Sequence, residues 1–186
     1  SLSPLSLPPF LSKPKSLLNL PIYIDGEAER EQIISTPACA VNYGDVPLAV
    51  DVSVTGTIKQ GSDMTLSPTP TDGSGTAKSA FIYFEIQHGD TEDPEYVEWD
   101  STFDSSKHIV ISNGGTTTKN NIFTLNPLTL DGEVAEGGCA PFRLAGDAVR
   151  EPTNPWNNKD GINVAVSFTF TPIPYDSYTA RRKHLQ

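Results

Sequence analysis

The stretch GINVAVSFTFTPI, residues 161–173, decides the fold class. In an extended chain Ile162, Val164, Val166, Phe168 and Phe170 fall on one side, and Asn163, Ala165, Ser167, Thr169 and Thr171 on the other. Strict alternation of this kind marks a strand with one buried face. Burying five such side chains contributes roughly 7–15 kcal/mol as an upper figure, so the strand is expected at the centre of a core. Pro172 and Pro174 end it by removing backbone donors.

The same period recurs upstream. LAVDVSVTG (48–56) puts Leu48, Val50, Val52 and Val54 opposite Ala49, Asp51, Ser53 and Thr55. SAFIYFEIQH (79–88) sets Phe81, Tyr83 and Glu85 against Ile82, Phe84 and Ile86. Further strands are expected in 62–70, 95–103, 108–112, 121–130 and 141–146, separated by Gly-, Pro- and Asn-rich turns such as TDGSGTAK (71–78) and REPTNPWNNKDG (150–161). EAEREQII (27–34) is the best local helix candidate. About eight strands with long loops and little helix predict an all-β fold, an eight-stranded antiparallel jelly-roll sandwich rather than a seven-strand immunoglobulin-like one. The expected organisation is an extended N-terminal arm over 1–34, a jelly-roll domain over 35–175 and a C-terminal tail over 176–186.

Composition narrows the functional classes. With 186 residues the chain suits one domain. A net charge of −10 is the wrong sign for binding nucleic acid by phosphate neutralisation, so any RNA contact is expected to be sparse. No apolar run reaches the roughly 20 residues of a membrane span, and the N-terminus lacks the pattern of a signal peptide. Cys39 and Cys139 match no zinc or CxxC spacing. They either pair and close a long loop or remain two free thiols, and free thiols are the expectation taken here. No Asn lies in a glycosylation sequon.

Motifs for chemistry are sparse. His88, His108 and His184 have no mutual metal-ligand spacing. His88-Gly89-Asp90 with Glu92 and Asp93 lacks the carboxylate spacing of a calcium loop and reads as a solvated loop. Glu95, Glu98, Asp100 and Asp104 cluster in sequence, yet nothing selects an acid–base pair. There is no nucleophile elbow and no phosphate-cradling loop. Trp156 reads as a loop-packing residue before a binding anchor. Arg181, Arg182, Lys183 and His184 form a basic run near the end, suited equally to a partner or to solvent. Accordingly no catalytic, cofactor-binding or metal residue is assigned, no cofactor is expected, and the chain is expected not to be an enzyme.

The ends carry the remaining clues. SLSPLSLPPFLSKPKSLLNLP (1–21) is too apolar for a free tail and too rich in Pro for a helix, which suggests an extended arm lying on another surface. Ser1 and Gln186 fit the Gln/Ser junctions cut by the chymotrypsin-like cysteine proteases of picorna-like viruses. With these ends, a strand pattern for a jelly roll and a mass of 20.1 kDa, the chain resembles a picorna-like virus capsid protein, most of all the small coat protein of plant secovirids of the cheravirus type. The resemblance implies a structural role in an icosahedral shell around single-stranded RNA. Its partners would be other coat protein subunits of the same particle, with no membrane. The implied localisation is the virion, with the host cell cytoplasm during assembly.

Three alternatives stand beside it. A secreted or surface β-sandwich subunit, adhesin- or pilin-like, predicts a Cys39–Cys139 disulfide. A phage decoration protein would share the fold but be encoded by its own gene. A carbohydrate-active sandwich would use Glu95, Glu98 or Asp100.

Overall fold

The structure, a computed structural model, describes residues 22–24, 33–71, 73, 75–90, 97–100, 102–149 and 153–174. Among these residues every regular element is a strand. They are β1 (Ile22–Ile24), β2 (Ile33–Ser35), β3 (Ala38–Val41), β4 (Leu48–Ile58), β5 (Thr65–Leu66), β6 (Ser79–Ile86), β7 (Ile109–Val110), β8 (Thr116–Leu125), β9 (Thr129–Leu130), β10 (Glu133–Val134), β11 (Cys139–Ala148) and β12 (Ile162–Pro172). The all-β expectation holds. Among the described residues the strands form sheets of seven, three and two. Pairing is antiparallel except between β5 and β6.

The three-stranded sheet, in the order β12-β4-β8, contains the stretch that decided the fold class. β12 pairs with β4 continuously from Ile162↔Ile58 to Pro172↔Leu48. Leu48, Val50, Val52 and Val54 of β4 are buried with Val164, Val166 and Phe168 of β12. The opposite face is polar: the hydroxyls of Ser53 and Thr118, and of Thr55 and Thr116, meet at 2.7 Å. β8 bulges between its partners of Val50 and Val52. Asn121 takes a left-handed φ of 50° there, and its N–H donates to the Asp51 carboxylate at 2.6 Å.

The seven-stranded sheet packs against this one. Phe168 stands 5.0 Å from Phe142 of β11 and 6.1 Å from Phe84 of β6, ring centre to ring centre. Ala80, Ile82 and Phe84 of β6 and Phe142 and Leu144 of β11 share the core with the valines of β4 and β12. Alternation puts Phe81, Tyr83, Glu85, Arg143 and Ala145 on the sheet's other face, and they too are buried. Gly146 lets β11 and β6 come together, because a Cβ there would lie 1.8 Å from the Phe81 carbonyl oxygen.

What covers that second face corrects the expected strand over 95–103. Its described residues, 97–100, 102 and 103, lie in no strand. Phe103 instead packs edge-on against Phe81 at 5.0 Å and beside Tyr83 at 5.3 Å. The apolar residues of this stretch form a lid layer, and their spacing imitates a strand. The helix expected over 27–34 is also corrected where it is described, since Ile33–Ser35 is β2; residues 27–32 lie outside the described residues.

β2 and β3 pair with successive parts of β11, at Ala145–Gly146 and then at Cys139–Phe142. They are two parts of one interrupted edge. The Ser35 hydroxyl fills the break by accepting the Leu144 N–H at 2.8 Å. The sheet thus begins inside the stretch 1–34 expected to be an arm, and Ile33 is fully buried. Residues 1–21 and the tail 176–186 lie outside the described residues.

The expectation of free thiols is overturned. Cys39 and Cys139 form a disulfide with a Cα–Cα distance of 6.2 Å and a sequence separation of 100. They sit diagonally on β3 and β11, Cys39 opposite Pro141 and Cys139 opposite Val41. A loop of this length gives a stabilisation on the order of 4–5 kcal/mol in the chain-entropy account.

A buried ammonium fixes the loops at the start of β6. Lys78 Nζ is 2.9 Å from both Asp63 Oδ1 and Asp160 Oδ2, with its side chain 2% exposed. Trp156 donates its indole N–H to the Val149 carbonyl at 2.9 Å and lies 5.9 Å from that ammonium, which agrees with the loop-packing reading. The Lys78 and Asn154 hydrogen bonds hold the Asp63 carboxyl below its ordinary value. Burial raises that of Asp160, but the Asn157 N–H, Lys78 and Ser62 outweigh it, and the net displacement is downward. The Asp63 hydrogen bond leads in raising the Lys78 value. Groups displaced this way stabilise the fold above the ordinary carboxylate value of 3.8 and lose that contribution as pH falls through their lowered values. Lys78 contributes below 10.5 and loses its contribution as pH rises through its raised value. The stability advantage of the wild type over Lys78→Met, followed by urea denaturation against pH, is therefore expected to be level near neutrality. It should shrink in acid below about pH 4. An advantage that grows as the carboxylates protonate would refute the assignment.

Candidate functional site

The densest group of buried polar side chains lies on the outer face of the seven-stranded sheet. Alternation in β6 sends Glu85 to this face, and the β6–β11 register sets Arg143 opposite it. Glu85 is fully buried and Arg143 is 4% exposed. Arg143 Nε donates to Glu85 Oε2 at 3.2 Å. Gln87 Nε2 donates to Glu85 Oε1 at 2.8 Å, and the backbone N–H of Asp100 donates to the same oxygen at 2.7 Å. One opposite charge and two neutral donors thus meet the carboxylate, as a fully buried charged group requires partners.

The covering segment completes the site. Trp99 lies under the Arg143 guanidinium, 4.7 Å from ring centre to Cζ. Asp100 Oδ2 accepts from Gln87 Nε2 at 3.0 Å and lies 3.0 Å from His108 Nε2. His108 stacks on Tyr83 with ring centres 4.8 Å apart. Its Nδ1 accepts the Asp104 backbone N–H at 2.9 Å. Asp104 closes the turn by accepting the Ser106 N–H and hydroxyl, and those Ser106 hydrogen bonds lead in lowering its carboxyl value. Lys119 of β8 donates to the carbonyls of Ser105 and Ser106 at 3.0 and 2.6 Å.

Glu85, Asp100 and His108 each offer a ligand atom within 4.8 Å of one another. The hydrogen bonds argue against a metal there. A backbone N–H only donates, so Nδ1 of His108 must present its lone pair to Asp104. The ring proton then sits on Nε2 and points at Asp100, and a metal at Nε2 would need the opposite tautomer. The Glu85 carboxylate is likewise engaged by three donors. The cluster therefore works as a clasp that holds the covering segment on the sheet.

The residues singled out from sequence are distributed differently. Asp100, His108 and Asp104 meet in the clasp. Glu85, Gln87 and Arg143 were missed as polar partners; the one signal was a charged residue at a core-alternation position of β6. His88, Asp90 and Glu98 line a shallow cleft with Val97 and Glu136, where His88 packs on Phe123 with ring centres 4.2 Å apart. They belong to no ligand-distance group among the described residues. Glu92, Asp93, Glu95 and residues 181–184 lie outside the described residues. Of the carboxylates Glu95, Glu98, Asp100 and Asp104 weighed as an acid–base pair, Asp100 is engaged by His108 and Gln87 and Asp104 by Ser106.

Comparison with known protein families, with curated proteins and with solved structures finds no match to this chain.

Glu85→Ala removes the counter-charge of a buried guanidinium and is expected to cost about 3–5 kcal/mol in urea denaturation. Glu85→Gln, which keeps an acceptor for the Asp100 N–H, should cost less. Equal losses would mean that the charge contributes nothing. Adding Zn²⁺ to the wild type is expected to leave its Tm unchanged. A Zn²⁺-dependent rise abolished by His108→Ala would overturn the tautomer argument.

Proposed function

We propose that this chain is a non-enzymatic coat subunit: a jelly roll that assembles with related subunits into an icosahedral shell around single-stranded RNA. Strand order supports this reading. In one sheet β11 pairs with β3 and β6, and β6 with β7. In the other β4 pairs with β12 and β8. These pairings agree with the last seven strands of an eight-stranded jelly roll, in which the chain crosses between sheets at every connection except β6 to β7. The place of the first strand in that scheme is beside β12. The bulge in β8, the β1–β2 hairpin and the small β9–β10 hairpin are additions to the scheme. The acidic charge suits a shell in which RNA contact is sparse, with subunit contacts dominating. Such a protein would be found in the virion, and in the host cytoplasm during assembly.

A second reading, a secreted or surface β-sandwich subunit of adhesin or pilin type, is favoured by the Cys39–Cys139 disulfide. Disulfides persist in oxidising surroundings, virion and cell surfaces included. Under the coat reading the bond forms only after the particle leaves a reducing cytoplasm.

Thiol alkylation and light scattering separate the two. For a coat subunit, both cysteines are expected to be alkylated in protein quenched directly from reducing cytosol. The full chain should also enter discrete multimers as its concentration rises. A chain that folds only when oxidised, and stays monomeric throughout, would remove the coat reading and leave the surface subunit.

A further inference from the structure

The first half of β8 breaks the pattern of its sheet. Its register sets Thr117 opposite Val54 and Lys119 opposite Val52, and directly paired residues of neighbouring strands share a face. Both therefore project to the side on which the two valines are buried. Thr116 and Thr118 go to the outer face, where their hydroxyls meet those of Thr55 and Ser53. Polar residues at inward positions leave the two sheets unsealed here. A cleft of about 380 Å³ opens between β8 and β7, within the usual size range of small-molecule sites.

The walls of the cleft differ in chemistry. Pro68, Phe103 and Val110 give an apolar side, and Ser112, Thr117 and Lys119 a polar one. β7 presents a free edge as well. The Ile111 N–H bonds to the Ile82 carbonyl, so alternation turns the N–H and C=O of Val110 away from β6. Among the described residues no strand pairs with that edge. Lys119 is the decisive group. Its ammonium donates to the carbonyls of Ser105 and Ser106, both neutral, and an ammonium has a third N–H to give. Among the described residues no carboxylate lines the cleft. A half-buried cation without a counter-charge thus stands in the wall of a partly apolar cleft, in a chain of net charge −10.

We propose that this cleft binds a small organic anion, a carboxylate on a compact apolar body. The carboxylate meets the Lys119 ammonium and the hydroxyls of Ser112 and Thr117, and the body lies against Phe103 and Val110. A charged acceptor is preferred to a neutral one because it alone supplies the missing counter-charge, and hydrogen bonds to charged groups are the stronger kind. The proposal does not depend on the coat reading, since it uses only the register of β4 with β8 and the place of β7.

The test is a titration of the full-length chain with sodium benzoate, followed through the amide resonances of residues 103–119 in solution NMR. Benzamide, nearly the same in shape but neutral, is the comparison. Benzoate is expected to shift the amides of Val110, Thr117 and Lys119, and to bind at least about tenfold more tightly than benzamide. Lys119→Met should bring the two ligands level. Thr117→Trp, which fills the cleft from an exposed position and keeps the ammonium, should abolish the binding of both. Equal binding of the two ligands to the wild type would overturn the proposal, as would benzoate shifts that centre elsewhere or stay absent at tens of millimolar. A preference for benzoate that survives Lys119→Met would overturn it too, because the charge would then be read at another place.

Discussion

From Phe142↔Ile86 to Ala148↔Ala80, β11 and β6 run side by side without a break, and most of the molecule is fastened to one of their two faces. The inner face supplies Phe84, Phe142 and Leu144 to the main core. The outer face presents Phe81, Tyr83 and Ala145 to a smaller apolar cluster, with Glu85 and Arg143 beside it. Moving one strand past the other by a single residue would send every side chain to the wrong face. It would also carry Gly146 away from the one position where the backbones approach too closely for a Cβ. The disulfide at one end of β11 and the Lys78 ion pairs at the opposite end of β6 tie down the loops flanking this pair.

The clasp follows from double-sided burial. A strand covered on one face can leave its polar residues in water; β6 cannot. Glu85 therefore needs a full set of donors, and the chain finds them in Arg143, Gln87 and the Asp100 N–H. Apolar residues of similar shape are often as stable as a buried ion pair, so the gain lies elsewhere. A saturated polar network fits in one arrangement only, and it fixes where Trp99, Phe103 and His108 land on the sheet.

Much of the fold was legible because alternation over β4, β6 and β12 is strict and long. The segment between β6 and β7 was misread because Val97, Trp99 and Phe103 alternate loosely enough to imitate a strand, while Trp99 and Phe103 instead pack on Arg143, Phe81 and Tyr83 of the outer sheet face. The cysteine pairing was missed for a related reason. A separation of 100 residues says nothing about proximity until β3 is known to pair with β11. In the clasp, Asp100, Asp104 and His108 were noticed as titratable residues, but their partner Glu85 looked like one polar residue in an apolar strand. Sequence spacing carries local periodicity well, and register between distant strands poorly.

The disulfide also sets how the molecule bears mechanical load. Cys39 and Cys139 close a covalent ring that contains β4, β6 and β8. Tension applied to the two ends of the chain passes from β3 to β11 through the sulfur bridge, so the strands inside the ring are shielded from stretching. β12 lies outside the ring, and its antiparallel ladder to β4 is what a pull on the C-terminal end would strain. Oxidised, the chain can lengthen only by its two flanks; reduced, the whole sandwich lies in the path of the force.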